Sequence, residues 1–248
     1  MILTRPEDAV HRIQLLRLLS EILDDSVLAD QIYFKGGSCA SMLGYLDRFS
    51  VDLDFDAKDE TQKKGLADRL QVIFKNLDLE IRQKSKNELF YVLKYQSEAS
   101  FRNTLKLGIL KQQAKSNVYK PFYLKEIDRF AICQTKETMF SHKLVSPIDR
   151  YKKYKSIAGR DIYDIHHFFL KGYDYIKAII KERTGKGTIK YFKELKEFIA
   201  KKVTDKTLSE DLNYLLPSDK FQKVRKILKR ETLLFLADEL KRLSKSAI

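Results

Sequence analysis

The chain has 248 residues, 44% of them apolar, with 48 Lys and Arg against 34 Asp and Glu, a formal net charge of +14 and a pI near 9.5. That length buries a sizeable core in one large or two small domains, which excludes a disordered tail or a small stapled module. The basic excess suggests a polyanionic partner such as nucleic acid, whereas Cys39 and Cys133 are too few for a disulfide framework, lack zinc-ligand spacing and read as small buried apolar side chains.

In chain order, residues 6–25 predict an amphipathic helix, with Val10, Ile13, Leu16, Leu19 and Leu23 at helical spacing. Residues 31–34 predict a short strand ending at Lys35-Gly36-Gly37-Ser38, and residues 40–45 a helix. Residues 50–56 alternate, with Val51, Leu53 and Phe55 on one face and Ser50, Asp52, Asp54 and Asp56 on the other. A helix over 64–77 and strands over 79–82, 89–95 and 104–110 follow. After about Asn117 the pattern changes, and from Lys136 onward it is helical, with breaks near Pro147, Gly159, Gly172, Gly185 to Gly187 and Pro217.

Ser146-Pro147 reads as an N-cap with proline in the first turn, a break that separates Lys143 from Arg150; on one uninterrupted helix these two, seven apart, would share a face. Arg160 and Asp164 read as an i,i+4 ion pair on a helix surface. His142, His166 and His167 lack partner ligands for a metal. No apolar run approaches the roughly 18 residues of a membrane span, and residues 1–10 have no apolar h-region, so a soluble, cytoplasmic protein is expected. Residues 171–248 hold 20 basic and 11 acidic side chains, a net of +9 that leaves +5 for the rest. The expected organisation is α+β: a mixed α/β domain over residues 1–125, then a basic α-helical bundle domain over residues 126–248.

The chemistry concentrates between Phe34 and Asp56. Two apart on a strand, Asp52 and Asp54 project from the same face and can share a divalent cation, and Mg2+ is commonly bound by one or two carboxylates plus substrate phosphates. Upstream, Gly37-Ser38 lies at a strand-to-helix junction where backbone N–H groups can cradle phosphate oxygens. Thirteen residues separate Ser38 from Asp52, which places a phosphate loop and a carboxylate pair in fixed order.

On these residues the chain resembles the nucleotidyltransferase superfamily of polymerase-beta-like fold, and more closely the AbiEii/AbiGii toxin family. The likeness rests on Phe34-Lys35-Gly36-Gly37-Ser38, on residues 48–55, and on a later block, Lys143-Leu144-Val145 with Arg150 and Arg160-Asp161-Ile162-Tyr163-Asp164. It implies a nucleotidyltransferase-fold catalytic domain whose Asp52 and Asp54 bind Mg2+ or Mn2+. It also implies that Lys35, Gly36, Gly37 and Ser38 meet the phosphates, that Ser50 stands at the active site, that Lys143 contacts the nucleotide, and that Asp161 completes the acidic centre. Arg48, counted with the nucleotide-binding residues, and Arg160 hold either loops or phosphates.

The resemblance further implies an NTP-dependent, pyrophosphate-releasing transfer of NMP to an acceptor such as the tRNA 3′ end or another RNA, opposed by a cognate antitoxin. Nucleotidylation of a protein hydroxyl, including the chain's own Ser50, and a non-catalytic nucleic-acid-binding module are the alternatives. One departure matters: a third carboxylate usual in the superfamily falls here on Gly108, in Lys106-Leu107-Gly108-Ile109. One-metal chemistry, replacement by Asp161 and a weakened enzyme are the three readings of that glycine.

Overall fold

A computed structural model describes residues 5–59, 63–98 and 101–245. The chain divides into two compact units, Met1–Gln113 with Val118–Thr135, and Ala114–Asn117 with Lys136–Ile248. The first contains α1 (Asp8–Asp24), α2 (Ser26–Gln31), β1 (Ile32–Lys35), α3 (Gly36–Met42), β2 (Asp52–Ala57), α4 (Lys63–Asn76), β3 (Glu80–Lys84), β4 (Leu89–Lys94), β5 (Thr104–Lys111), β6 (Tyr119–Leu124) and β7 (Arg129–Gln134). Its seven strands form one mixed sheet in the order β3-β4-β5-β2-β1-β7-β6.

The alternation of β2 divides the sheet into two chemically different faces. Leu53 and Phe55 join Leu105, Leu107 and Ile109 of β5 on one side, under Leu15, Leu18, Leu19 and Ile22 of α1 and Leu66, Leu70 and Phe74 of α4, all buried. The Phe34 and Phe55 rings lie 5.1 Å apart in this layer. Asp52, Asp54 and Asp56 stand on the other side. Cys39 and Cys133 are buried and free, and burial together with their mutual contact pushes the Cys39 thiol pKa well up, as suits inert packing groups.

Three local expectations change. No strand is predicted over residues 118–135, yet they form the β6–β7 hairpin, and β7 pairs in parallel with β1 through Phe34 and Cys133. The expected domain boundary after Lys125 would cut that hairpin; the first unit instead runs to Thr135. Finally, α3 begins at Gly36 rather than near Ala40, so the glycine pair is the first turn of the helix itself.

The second unit is helical: α5 (Lys136–Tyr154), α6 (Gly159–Leu170), α7 (Lys177–Thr184), α8 (Thr188–Lys202), α9 (Asp205–Leu212), α10 (Ser218–Val224) and α11 (Leu228–Lys245). Its core includes Leu144, Ile148, Ile162, Ile165, Phe168, Phe192, Leu195 and Leu236. Gly159 lets α6 start against α9, since a Cβ there would lie 2.8 Å from the Leu208 carbonyl oxygen. The predicted break at Pro147 does not occur, and α5 runs through it. Proline removes an N–H from the helix ladder, and the buried Tyr191 hydroxyl donates nearby, 3.1 Å from the Leu144 carbonyl and 3.4 Å from that of Val145. No helix among the described residues is long and apolar enough to cross a membrane.

Candidate active site

At the end of β1 the chain turns straight into α3. Gly36 makes this possible with φ +77°, a left-handed conformation that side chains resist. The glycine is also needed for space, because a Cβ at position 36 would lie 2.7 Å from Asp54 Oδ2. Asp54 therefore packs directly against the backbone of the turn. At Gly37 a Cβ would meet Ser50 Oγ at 2.7 Å and Arg48 Nη2 at 3.1 Å. The first turn of α3, whose N–H groups have no partners within the helix, is thus held against Ser50, Asp54 and Arg48.

The side chains around this turn are mostly occupied in building it. The Ser38 hydroxyl donates to the Asp52 carbonyl and so ties the first turn of α3 to the start of β2. Ser41 Oγ donates to the Arg48 carbonyl at 3.0 Å, and Arg48 Nη1 donates to the Phe49 carbonyl at 3.0 Å. Arg48 is 3% exposed, with its guanidinium turned back onto the loop before β2. Ser50 is buried, whereas Asp52 and Asp54 are half-buried.

Asp56, one step further along the same face, was read from the sequence only as a member of a polar row. It is 1% exposed and accepts from Lys35 Nζ at 2.6 Å, Tyr119 OH at 2.8 Å and Gln134 Nε2 at 2.7 Å. Both its oxygens are engaged within the sheet, so it braces β2 against β1, β6 and β7. Lys35, expected beside the phosphates, has its ammonium on this carboxylate.

A second supporting residue had no sequence signal. His11 of α1 is fully buried; its Nε2–H donates to the Val51 carbonyl at 2.8 Å and its Nδ1 lies 2.7 Å from the Tyr95 hydroxyl. Burial lowers its pKa to about 4, against the upward pull of the Val51 bond. The neutral imidazole fastens the residue immediately before Asp52.

Strand β5 pairs in parallel with β2, with Lys106 beside Asp52 and Gly108 beside Asp54. The glycine at the place of the third carboxylate is therefore the direct neighbour of Asp54. Among the described residues no group of three or more His, Cys, Asp or Glu could hold a metal ion. The carboxylate pair with its adjacent turn still fits Mg2+ as it is commonly bound, by one or two carboxylates with substrate phosphates supplying further oxygens.

In the second unit the later block forms a ladder between α5 and α6. Lys143 Nζ pairs with Asp164 Oδ2 at 2.7 Å, and Arg150 Nε with Asp161 Oδ2 at 2.7 Å. Lys143 and Arg150 share a face because α5 is continuous. The predicted surface pair of Arg160 with Asp164 is replaced: Asp164 is 0% exposed beneath Lys143, while Arg160 binds Asp211 through its backbone N–H and guanidinium. His142 contacts Asn117 and Arg183, His166 pairs with Glu231, and His167 stacks on Tyr163.

Comparisons with known proteins identify the fold and the family. Among solved structures, JHP933 from Helicobacter pylori matches with a TM-score of 0.57 at 21% identity, covering 99% of this chain and 98% of that one. A candidate nucleotidyltransferase from H. pylori matches with a TM-score of 0.59 at 21% identity, over 97% and 98% of the two chains. An antigenic nucleotidyltransferase-like protein from Paracoccidioides brasiliensis gives 0.50 at 15% identity, over 86% and 97%. These likenesses establish a shared nucleotidyltransferase-like fold. Among curated proteins none matches the chain. The family described as nucleotidyl transferase AbiEii toxin, type IV TA system, matches residues 17–234, nearly the whole length, and the chain belongs to that family of toxin–antitoxin nucleotidyltransferases.

Proposed function

We propose that this chain transfers a nucleoside monophosphate from an NTP to an acceptor hydroxyl, with the 3′ end of tRNA or another RNA as acceptor, in a cytoplasmic, Mg2+- or Mn2+-dependent reaction. The acceptor hydroxyl releases its proton to solvent as its oxygen bonds to the α-phosphorus, the bond from the α-phosphorus to the bridging oxygen breaks, and pyrophosphate leaves. The observation that carries this reading is the packing of the Asp54 carboxylate against Gly36, which joins the acidic pair on β2 to the first turn of α3, where helix N–H groups have no partner within the helix.

Asp52 and Asp54 would hold the cation, which when bound neutralises phosphate charge. The backbone amides of Gly37 and Ser38 face phosphate oxygens, and the Asp56 carboxylate holds the Lys35 ammonium at the end of β1, from which it can turn to a phosphate. Lys143 is retained as a phosphate contact, with Asp164 orienting its ammonium, and Asp161 as a further acidic group. Alignment and charge neutralisation then supply the rate. A cognate antitoxin is the implied opposing partner.

Self-nucleotidylation of Ser50 is disfavoured by its burial against Gly37. A non-catalytic binding module is the second reading, favoured by Gly108 beside Asp54. Purified protein, Mg2+, each labelled NTP in turn and total tRNA, resolved on RNA and protein gels, separate these. Label on RNA that falls about 10²-fold or more in Asp52→Ala is the expected result. Equal activity in that variant would sink the mechanism, and label on protein alone would move the acceptor.

A further inference from the structure

The carboxylate face of the sheet carries aromatic side chains beyond the carboxylates. In the β6–β7 hairpin Tyr119 stands opposite Gln134, Pro121 opposite Ile132 and Tyr123 opposite Phe130. Alternate residues of a strand share a face, and Tyr119 and Gln134 both reach Asp56, so all six project from the carboxylate side. Tyr33 of β1 continues the row, its ring 4.3 Å from that of Tyr119. At the far end Tyr123 and Phe130 lie 5.3 Å apart and are 44% and 73% exposed. Phe130 is the most exposed large apolar side chain among the described residues.

From Gln134 to Phe130 is four strand steps, about 13 Å. The row is two strands wide, so it presents rings in line without the roughly 800 Å² per partner of a stable protein interface. It ends at Asp56, beside the residues proposed to act on phosphate, and the molecule around it carries +14. Flat π-faces in a row on a basic protein match one ligand chemistry, successive unpaired bases on a polyanionic backbone.

We propose that the Tyr33–Tyr119 and Tyr123–Phe130 pairs form a stacking platform that leads a single-stranded nucleic-acid end to Asp52 and Asp54. The proposal rests on the nucleotidyl-transfer reading for its destination, while its contacts are independent of the chemistry. Because the distal rings stack and carry no charge, the platform contributes an affinity that salt does not screen.

The test uses the full chain, the Tyr123→Ala/Phe130→Ala double variant and the conservative Tyr123→Phe/Phe130→Tyr variant, with unfolding curves showing that each is folded. Anisotropy of a fluorescein-labelled single-stranded RNA of about ten nucleotides is read across a salt series. Expected is about a tenfold or greater loss of affinity in the alanine variant, an unchanged slope of log K against log salt, and rescue in the conservative variant. In label transfer the acceptor KM rises while kcat and the NTP KM hold. Unchanged affinity, no RNA binding by the parent chain, or a self-association in sedimentation that only the alanine variant abolishes overturns the platform. Loss of RNA binding without any label transfer by the parent chain would retain the platform and remove the chemistry; transfer by the parent with an indifferent variant does the reverse.

Discussion

Asp54 touches two glycines under opposite constraints, and the difference is testable. At Gly36 both the φ of +77° and the 2.7 Å approach of Asp54 Oδ2 oppose a side chain. Gly36→Ala is expected to cost about 1–2 kcal/mol of stability and at least tenfold in transfer rate, read by urea unfolding and label transfer. At Gly108 a Cβ would sit 3.5 Å from Asp54 Oδ1 and 3.6 Å from Phe90 Cδ2, which is ordinary contact. Gly108→Asp is therefore expected to fold and to place a third carboxylate beside the pair, lowering the Mg2+ concentration for half-maximal activity several-fold. No change in Mg2+ dependence would mean that the missing carboxylate does not limit the site. The acidic pair and the glycine turn were legible in the sequence because two-residue spacing dictates which face a side chain takes. Asp56 and His11 were not, because their partners come from β1, β6, β7 and a loop distant in sequence, and only folding assembles them.

Each unit contains a buried polar joint between its elements. Between α1 and β2 the joint is His11, neutral in the fold down to about pH 4, whereas in the unfolded chain it takes a proton near pH 6.5. Its contribution is complete above the unfolded value and is lost as the pH falls toward 4, amounting to about 2 kcal/mol between pH 7.5 and pH 5. Urea unfolding at the two pH values should show this loss, and His11→Phe should flatten the difference whatever its own stability. In the helical unit the joint is Lys143–Asp164. Removing one partner of a buried pair strands the other, so Asp164→Leu or Lys143→Met alone should cost about 3 kcal/mol, and the double variant should recover most of it. If the folded double variant still binds NTP as the parent does, Lys143 is purely structural. The helical period identified this unit, but Pro147 suggested a break that tertiary packing overrides. Pro121 and the charged Lys120 of β6 likewise hid the hairpin, since an edge strand tolerates proline and needs no clean alternation.

Across the whole molecule the basic excess is uneven, with +9 of the +14 in residues 171–248, while the aromatic row lies on the sheet of the first unit. The two features would make physically separable contributions to polyanion binding, one electrostatic and one of stacking. Lys223, Arg225, Lys226 and Arg230 are suitable for isolating the first. Reversing these four charges to Glu is expected to weaken RNA binding uniformly across sequences and to reduce the salt slope by about one for each residue that contacts phosphate. The stacking variant at Tyr123 and Phe130 should instead lower affinity by the same factor at every salt concentration. Combining the two should give additive losses in log K, because the sites share no side chain. A charge-reversed chain with an unaltered slope would place the electrostatic contacts elsewhere, with Lys106, exposed beside Asp52 on the carboxylate face, the next residue to reverse.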